Sequence, residues 1–140
     1  MWAQTEEEGK RRRHQIDSVV EGIGLNRVTR NLELALPFID DAIRVTDQEA
    51  VAMSRFVASR DGLFLGSSSA VNLVAVCKLV RKRGWQQPDG GSGGGNKRRV
   101  VTILCDGGAR HLSRFWNDEY LAANGIAVSD SIDEILHGEL

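Results

Sequence analysis

The residues best suited to chemistry stand at three places where an apolar run gives way to small polar residues. Gly66-Ser67-Ser68-Ser69 follows Leu63-Phe64-Leu65 and opens a long apolar-periodic stretch ending at Lys82. Cys105-Asp106-Gly107-Gly108 follows Val100-Val101-Thr102-Ile103-Leu104, and Thr46-Asp47 follows Ala42-Ile43-Arg44-Val45. Small polar residues at the positive end of a helix suit an anion. Taken singly, the serines read more simply as N-caps that accept from the helix's first unpaired N–H groups. Three such junctions in one chain point instead to a ligand cleft.

Other reactive side chains read as structural. Cys77 and Cys105 each lie in an apolar run, which predicts buried thiols in a reducing compartment; two cysteines are too few for a disulfide framework or a zinc site. His111, near the start of a helix, reads as a solvent-facing or capping residue. Gly22 and Gly24 resemble the opening of a dinucleotide fingerprint, but the third glycine would fall at Arg27, so that reading is rejected. The glycine-rich stretch from Pro88 to Asn96 lacks a GK[ST] ending and precedes a strand, which makes it a surface loop and not a phosphate loop.

The elements that must position these residues follow from periodicity. Ala42–Val45, Leu63–Leu65 and Val100–Leu104 predict strands. Thr46-Asp47-Gln48-Glu49 is a capping box, and Ala50, Met53, Phe56 and Val57 give its helix one core-facing side up to Asp61-Gly62. Val71, Val74, Cys77 and Val80 mark the buried side of the next helix. A third helix is predicted over about Ala109–Ala123, and a weak one over Ser131–Leu136. Strand-helix alternation predicts an α/β fold, a three-layer parallel sheet with flanking helices. Its ligand crevice would lie at the carboxyl ends of the strands.

The 140 residues suffice for one compact domain. A formal charge of −1 and 41% hydrophobic content give no push toward nucleic acid, and no apolar run reaches the ~20 residues of a membrane helix. Glu6-Glu7-Glu8 beside Lys10-Arg11-Arg12-Arg13 predicts a solvated, disordered charged N-terminus over 1–14 and argues against a leader peptide. The expected location is intracellular and cytoplasmic, with a mitochondrial association as the alternative. Residues 126–140 read as an acidic C-terminal tail.

Four stretches carry a resemblance: HQIDSVVEGIGLNRVTRNL, DDAIRVTDQEAVAMSRF, GLFLGSSSAVN and RRVVTILCDGGARHLSRFWNDEYL. In this order they resemble the C-terminal part of a cysteine synthase of the fungal cysteine-synthase-like branch. That family belongs to the fold-type-II (tryptophan synthase β-like) pyridoxal-phosphate enzymes, with the O-acetylserine sulfhydrylases and cystathionine β-synthases. The resemblance covers roughly residues 13–125.

The resemblance implies pyridoxal 5'-phosphate as cofactor, an amino-acid substrate, and β-replacement on an O-activated serine to make cysteine. It implies cofactor-binding roles for Glu21, Gly22, Ile23 and Gly24 beside the ring, for Ser67 and Ser68 in the strand-to-helix turn, and for Asp106 and Gly107. At Gly107 the family usually places a serine that bonds the pyridine nitrogen. The segments that carry the Schiff-base lysine, the asparagine loop and the phosphate loop precede the matched region. None of Lys10, Lys78, Lys82 and Lys97 has the expected context. No catalytic residue and no metal ligand is therefore assigned. Two functions remain open: part of a cysteine synthase-like enzyme, or a non-catalytic remnant that binds a small anion or a related subunit. Self-association or pairing with a related subunit is expected of the isolated chain.

Overall fold

The computed structural model describes residues 18–23, 28–86 and 98–138. The charged N-terminus at 1–14, Gly24 and the glycine-rich loop at 88–96 lie outside these residues. Thr46 starts the first long helix, α2 (Asp47–Asp61), after a short α1 (Arg30–Ala35) that runs into a 3-10 turn at Leu36–Phe38. Both halves of the capping box form. Thr46 Oγ1 accepts from Glu49 N at 3.2 Å, and Glu49 Oε2 accepts from Thr46 N at 2.8 Å. The helix ends at Gly62, whose φ of 69° is the left-handed conformation that glycine adopts without a Cβ penalty.

Helix α3 (Ser67–Lys82) lies against α2, and α5 (Asp133–His137) also packs on it. Ala50 and Ala70 are fully buried, small enough for close approach. On one side of α2, Ala50 and Val51 meet Val19, Val20, Phe115 and Leu121. On the other, Met53 and Val57 meet Leu65, Val74 and Ile135. Phe115, Leu121 and Ile135 each contribute roughly 1.5–3 kcal/mol by leaving water. Met53 and Phe56 thus belong to the core, as their spacing predicts. The acidic segment after Gly125 packs back through Ile126, Ile132 and Ile135, and Arg81 donates to the carbonyls of Ile135 and Gly138.

The expected parallel sheet does not form among the described residues. One isolated bridge occurs, Leu65 with Gly107, and it is antiparallel: Gly66 N donates to Asp106 O and Gly108 N to Phe64 O. The segments 42–45 and 100–104 form no strand pairing among the described residues. Side chains of α3 take up carbonyls that a neighbouring strand would use. Asn72 Nδ2 donates to Ile103 O at 2.9 Å and Lys78 Nζ to Arg44 O at 2.9 Å. Strand propensity favours an extended chain here, but a sheet needs a second chain segment alongside.

The helix expected over Ala109–Ala123 is also interrupted. A 3-10 turn covers Gly108–His111, the chain turns through 112–116, and α4 spans Asp118–Ala123. Asn117 caps α4 by accepting from Tyr120 N at 2.9 Å, a role asparagine fills better than a mid-helix position. The break lets Trp116 Nε1 reach Leu65 O at 2.8 Å while Phe115 stays in the core. Of the two thiols, Cys77 is half-buried, and burial pushes it above its ordinary range; Cys105 is exposed, against expectation. Among the described residues no helix is long and apolar enough to cross a membrane.

Candidate functional site

Three chain segments meet at the head of α3. Gly66 is the N-cap residue and makes no side-chain cap, so the serines do not cap the helix as their sequence suggests. They bind neighbouring segments instead. Ser67 is fully buried and its Oγ accepts from Glu21 N at 3.1 Å. Ser69, also fully buried, donates to Asp106 O at 3.1 Å and accepts from Asp106 N at 3.2 Å. Only Ser68 Oγ, half-buried between them, makes no hydrogen bond among the described residues.

The Glu21 segment is anchored at its base by α2. Ser18 Oγ donates to Asp47 Oδ1 at 2.7 Å and Val19 N to Asp47 Oδ2 at 2.9 Å. Asp47 thus acts as a clamp at the helix N-terminus, where a carboxylate is favoured. Gly22 follows with φ of 83°, and Ile23 is exposed.

The third segment brings a pair that sequence reasoning missed. His111 is buried, not solvent-facing, and its Nε2 lies 2.8 Å from Asp106 Oδ2. Two buried polar atoms, Asp106 Oδ1 and His111 Nδ1, have no hydrogen-bond partner among the described residues. On the outer side, His111 Nδ1 is 3.8 Å from Glu21 Oε2, and Arg114 Nη1 is 3.8 Å from Glu21 Oε1. Gly66 lies flush against the pair: a Cβ there would stand 2.7 Å from Asp106 Cγ and 2.8 Å from His111 Nε2. The one sequence signal for this contact is the glycine itself, ahead of a buried serine.

Of the predicted cofactor residues, Glu21, Gly22, Ser67, Ser68, Asp106 and Gly107 therefore share one end of the fold. Ile23 continues the same segment outward. The assembly suits a ligand with acceptor and donor groups, because it offers a half-buried hydroxyl at the head of a 16-residue helix. It offers no amine among the described residues. Lys78 Nζ lies 2.5 Å from Glu49 Oε1 and Lys82 Nζ 2.8 Å from Asp41 Oδ2. Eleven and fifteen residues past Ser67, they stand roughly 16 and 22 Å along the helix axis from the site. No group of His, Cys, Asp and Glu among the described residues could hold a metal.

The helix head receives two other segments, and sequence relatives identify the class of protein to which the chain belongs. The family model for pyridoxal-phosphate dependent enzymes matches residues 2–106, and the chain belongs to that family. It is 50% identical over 135 residues to cysteine synthase 2 of Schizosaccharomyces pombe, covering 95% of this chain and 31% of that protein. It is 46% identical over 140 residues to cysteine synthase 2 of Emericella nidulans, covering 99% and 29%. With cysteine synthase 2 of Neurospora crassa it shares 51% over 116 residues, covering 83% and 23%. The chain thus spans between about a quarter and a third of the length of these relatives. No solved structure matches it. Pyridoxal phosphate is the cofactor the family implies. The Ser68 hydroxyl and the helix head could hold one side of it, and the lysines among the described residues, Lys78 and Lys82, are engaged by Glu49 and Asp41.

Proposed function

We propose that the chain supplies one wall of the active site of a cysteine synthase-like enzyme. That enzyme would replace the activated β-substituent of an O-activated serine to make cysteine. The observation that carries this reading is the hydrogen bond of Glu21 N to Ser67 Oγ, which seats the glycine-containing segment on the head of α3 beside the half-buried Ser68. Bound pyridoxal phosphate supplies an electron sink for bond breaking in the substrate, tuned by the groups around its ring. Glu21, Gly22, Ile23 and Gly24 would hold one side of it. Ser67 and Ser68 would hold the turn, and Asp106 and Gly107 the remaining edge, where Gly107 offers no hydroxyl. In this reading 42–45, 63–65 and 100–104 are parallel strands of the family's sheet once further strands lie alongside, and the location is intracellular, cytoplasmic or mitochondrial.

One observation favours a second reading. Both lysines among the described residues are held in ion pairs far from the site. The chain would then be a non-catalytic module that binds a small anion or a related subunit. Titration of the purified chain with pyridoxal phosphate separates the two, followed by its visible absorption band and by borohydride fixation. Saturable binding that Ser68→Ala weakens several-fold supports the wall reading, and fixation on a single lysine extends it to a complete catalytic set. Absence of saturable binding counts against the wall reading and leaves, of the second, the subunit-binding form.

A further inference from the structure

Asp106 is held at the head of α3 by two separate sets of contacts, one for its backbone and one for its carboxylate. Gly66 N and Ser69 Oγ both donate to Asp106 O, at 3.0 and 3.1 Å, and Asp106 N donates to Ser69 Oγ at 3.2 Å. The side chain is fixed differently. Oδ2 accepts from His111 Nε2 at 2.8 Å, and because a carboxylate can only accept, Nε2 carries the hydrogen. Oδ1 is buried, makes no hydrogen bond among the described residues, and lies where a Cβ on Gly66 would collide with it. His111 is itself firmly seated. It is 6% exposed, and its ring meets Phe115 edge-on with centroids 6.4 Å apart.

We propose that His111 is a positioning residue for the Asp106 carboxylate, locking it in one rotamer against Gly66 so that this edge of the site is formed before a ligand arrives. The proposal rests on the reading that Asp106 borders the cofactor. The Asp106 side chain is 30% exposed, enough to face a ligand and enough to swing into water once the bond from His111 is lost. With its backbone alone fixed, the side chain has three staggered positions about χ1. Ordering it only when the ligand binds would weaken affinity by about two- to tenfold. Other donors around the helix head are already committed. The Ser69 hydroxyl serves the Asp106 backbone, the Glu21 N–H is on Ser67, and Trp116 Nε1 is on Leu65 O. The 3-10 turn Gly108–His111 therefore supplies the N–H that the carboxylate needs, from five residues further on.

Three-bond NMR couplings across the Asp106 Cα–Cβ bond, measured on the full chain without cofactor, test the lock. The unmodified chain should show a single χ1 rotamer. His111→Gln, whose amide can donate in place of Nε2, should keep it. His111→Phe, which keeps a ring on Phe115 without a donor, should give averaged couplings. Protection of the Gly66 amide from exchange should persist in all three, which shows that the backbone of the turn is intact. Averaging in the unmodified chain or in His111→Gln, or a single rotamer retained in His111→Phe, overturns the proposal. If His111→Phe does not fold, the ring nitrogen shifts of His111 in the unmodified chain decide. A hydrogen on Nε2 supports the lock, and a ring with its hydrogen on Nδ1 alone overturns it. Titration with pyridoxal phosphate then reads the consequence: the unmodified chain and His111→Gln should bind alike, and His111→Phe about two- to tenfold more weakly. Equal binding by all three would overturn the positioning role. Binding by none would remove the cofactor reading and leave the rotamer lock, which the couplings judge by themselves.

Discussion

Gly66 shows how one missing side chain shapes the site. Its φ of −73° is open to any residue, so its requirement is steric. A methyl group would press on Asp106 and His111, both packed between elements. Gly66→Ala should therefore cost about 1–3 kcal/mol by overpacking, read as a lower urea midpoint, and should displace the Asp106–His111 contact. Gly62 is the converse, with no atom within 4 Å of an added Cβ but a left-handed backbone. Gly62→Ala should cost about 1–2 kcal/mol without disturbing the His111 ring signals. Equal perturbation of those signals by both changes would refute this division of steric and conformational roles.

Among the elements, α2 and α3 are joined by a pair that couples a helix cap to an ion pair. Glu49 accepts from Thr46 N through Oε2 and faces Lys78 Nζ through Oε1. Burial works to raise the Glu49 carboxyl, and the hydrogen bonds from Lys78 and the Thr46 N–H outweigh it, holding the group below its ordinary 4.5. A carboxyl depressed on folding stabilises the native state above its unfolded value, and that contribution is lost as pH falls through the folded one. Glu49→Gln should lower stability at neutral pH by about 1.5–3 kcal/mol and flatten the loss of stability on acidification below about pH 4.5. Unfolding midpoints of the two proteins across that range provide the check. An unchanged acid slope in the variant would show that Glu49 does not drive it.

The whole molecule leaves apolar extended chain in water. Val101 is 90% exposed, Ile103 69% and Phe38 84%, more than ordinary scattered surface residues would require. Val101 and Ile103 alternate along a segment without strand pairing among the described residues, where only the Ile103 carbonyl is taken up, by Asn72. The isolated chain should therefore self-associate in a concentration-dependent way, and Val101→Lys combined with Ile103→Lys should shift it toward monomer in light scattering. A monodisperse monomer before substitution would refute the expectation.

The amino-acid sequence by itself determined what depends on neighbours along the chain. The Thr46–Glu49 box, the Gly62 stop, the span of α3 and the core positions Met53 and Val74 are all legible, because capping and helical periodicity involve residues a few positions apart. The gathering of Glu21, Ser67, Ser68, Asp106 and Gly107 was legible through family resemblance and through the small polar junctions. Contacts between segments were decided only by the tertiary structure. Ser67 and Ser69 read as caps, yet their hydroxyls serve Glu21 and Asp106. His111 read as exposed, yet the turn through 112–116 buries it on Asp106. Val100–Leu104 read as a sheet strand, yet local preference alone does not pair it. Pairing depends on which segment lies beside it, and side-chain burial on which surfaces meet; neither is a property of the residue alone.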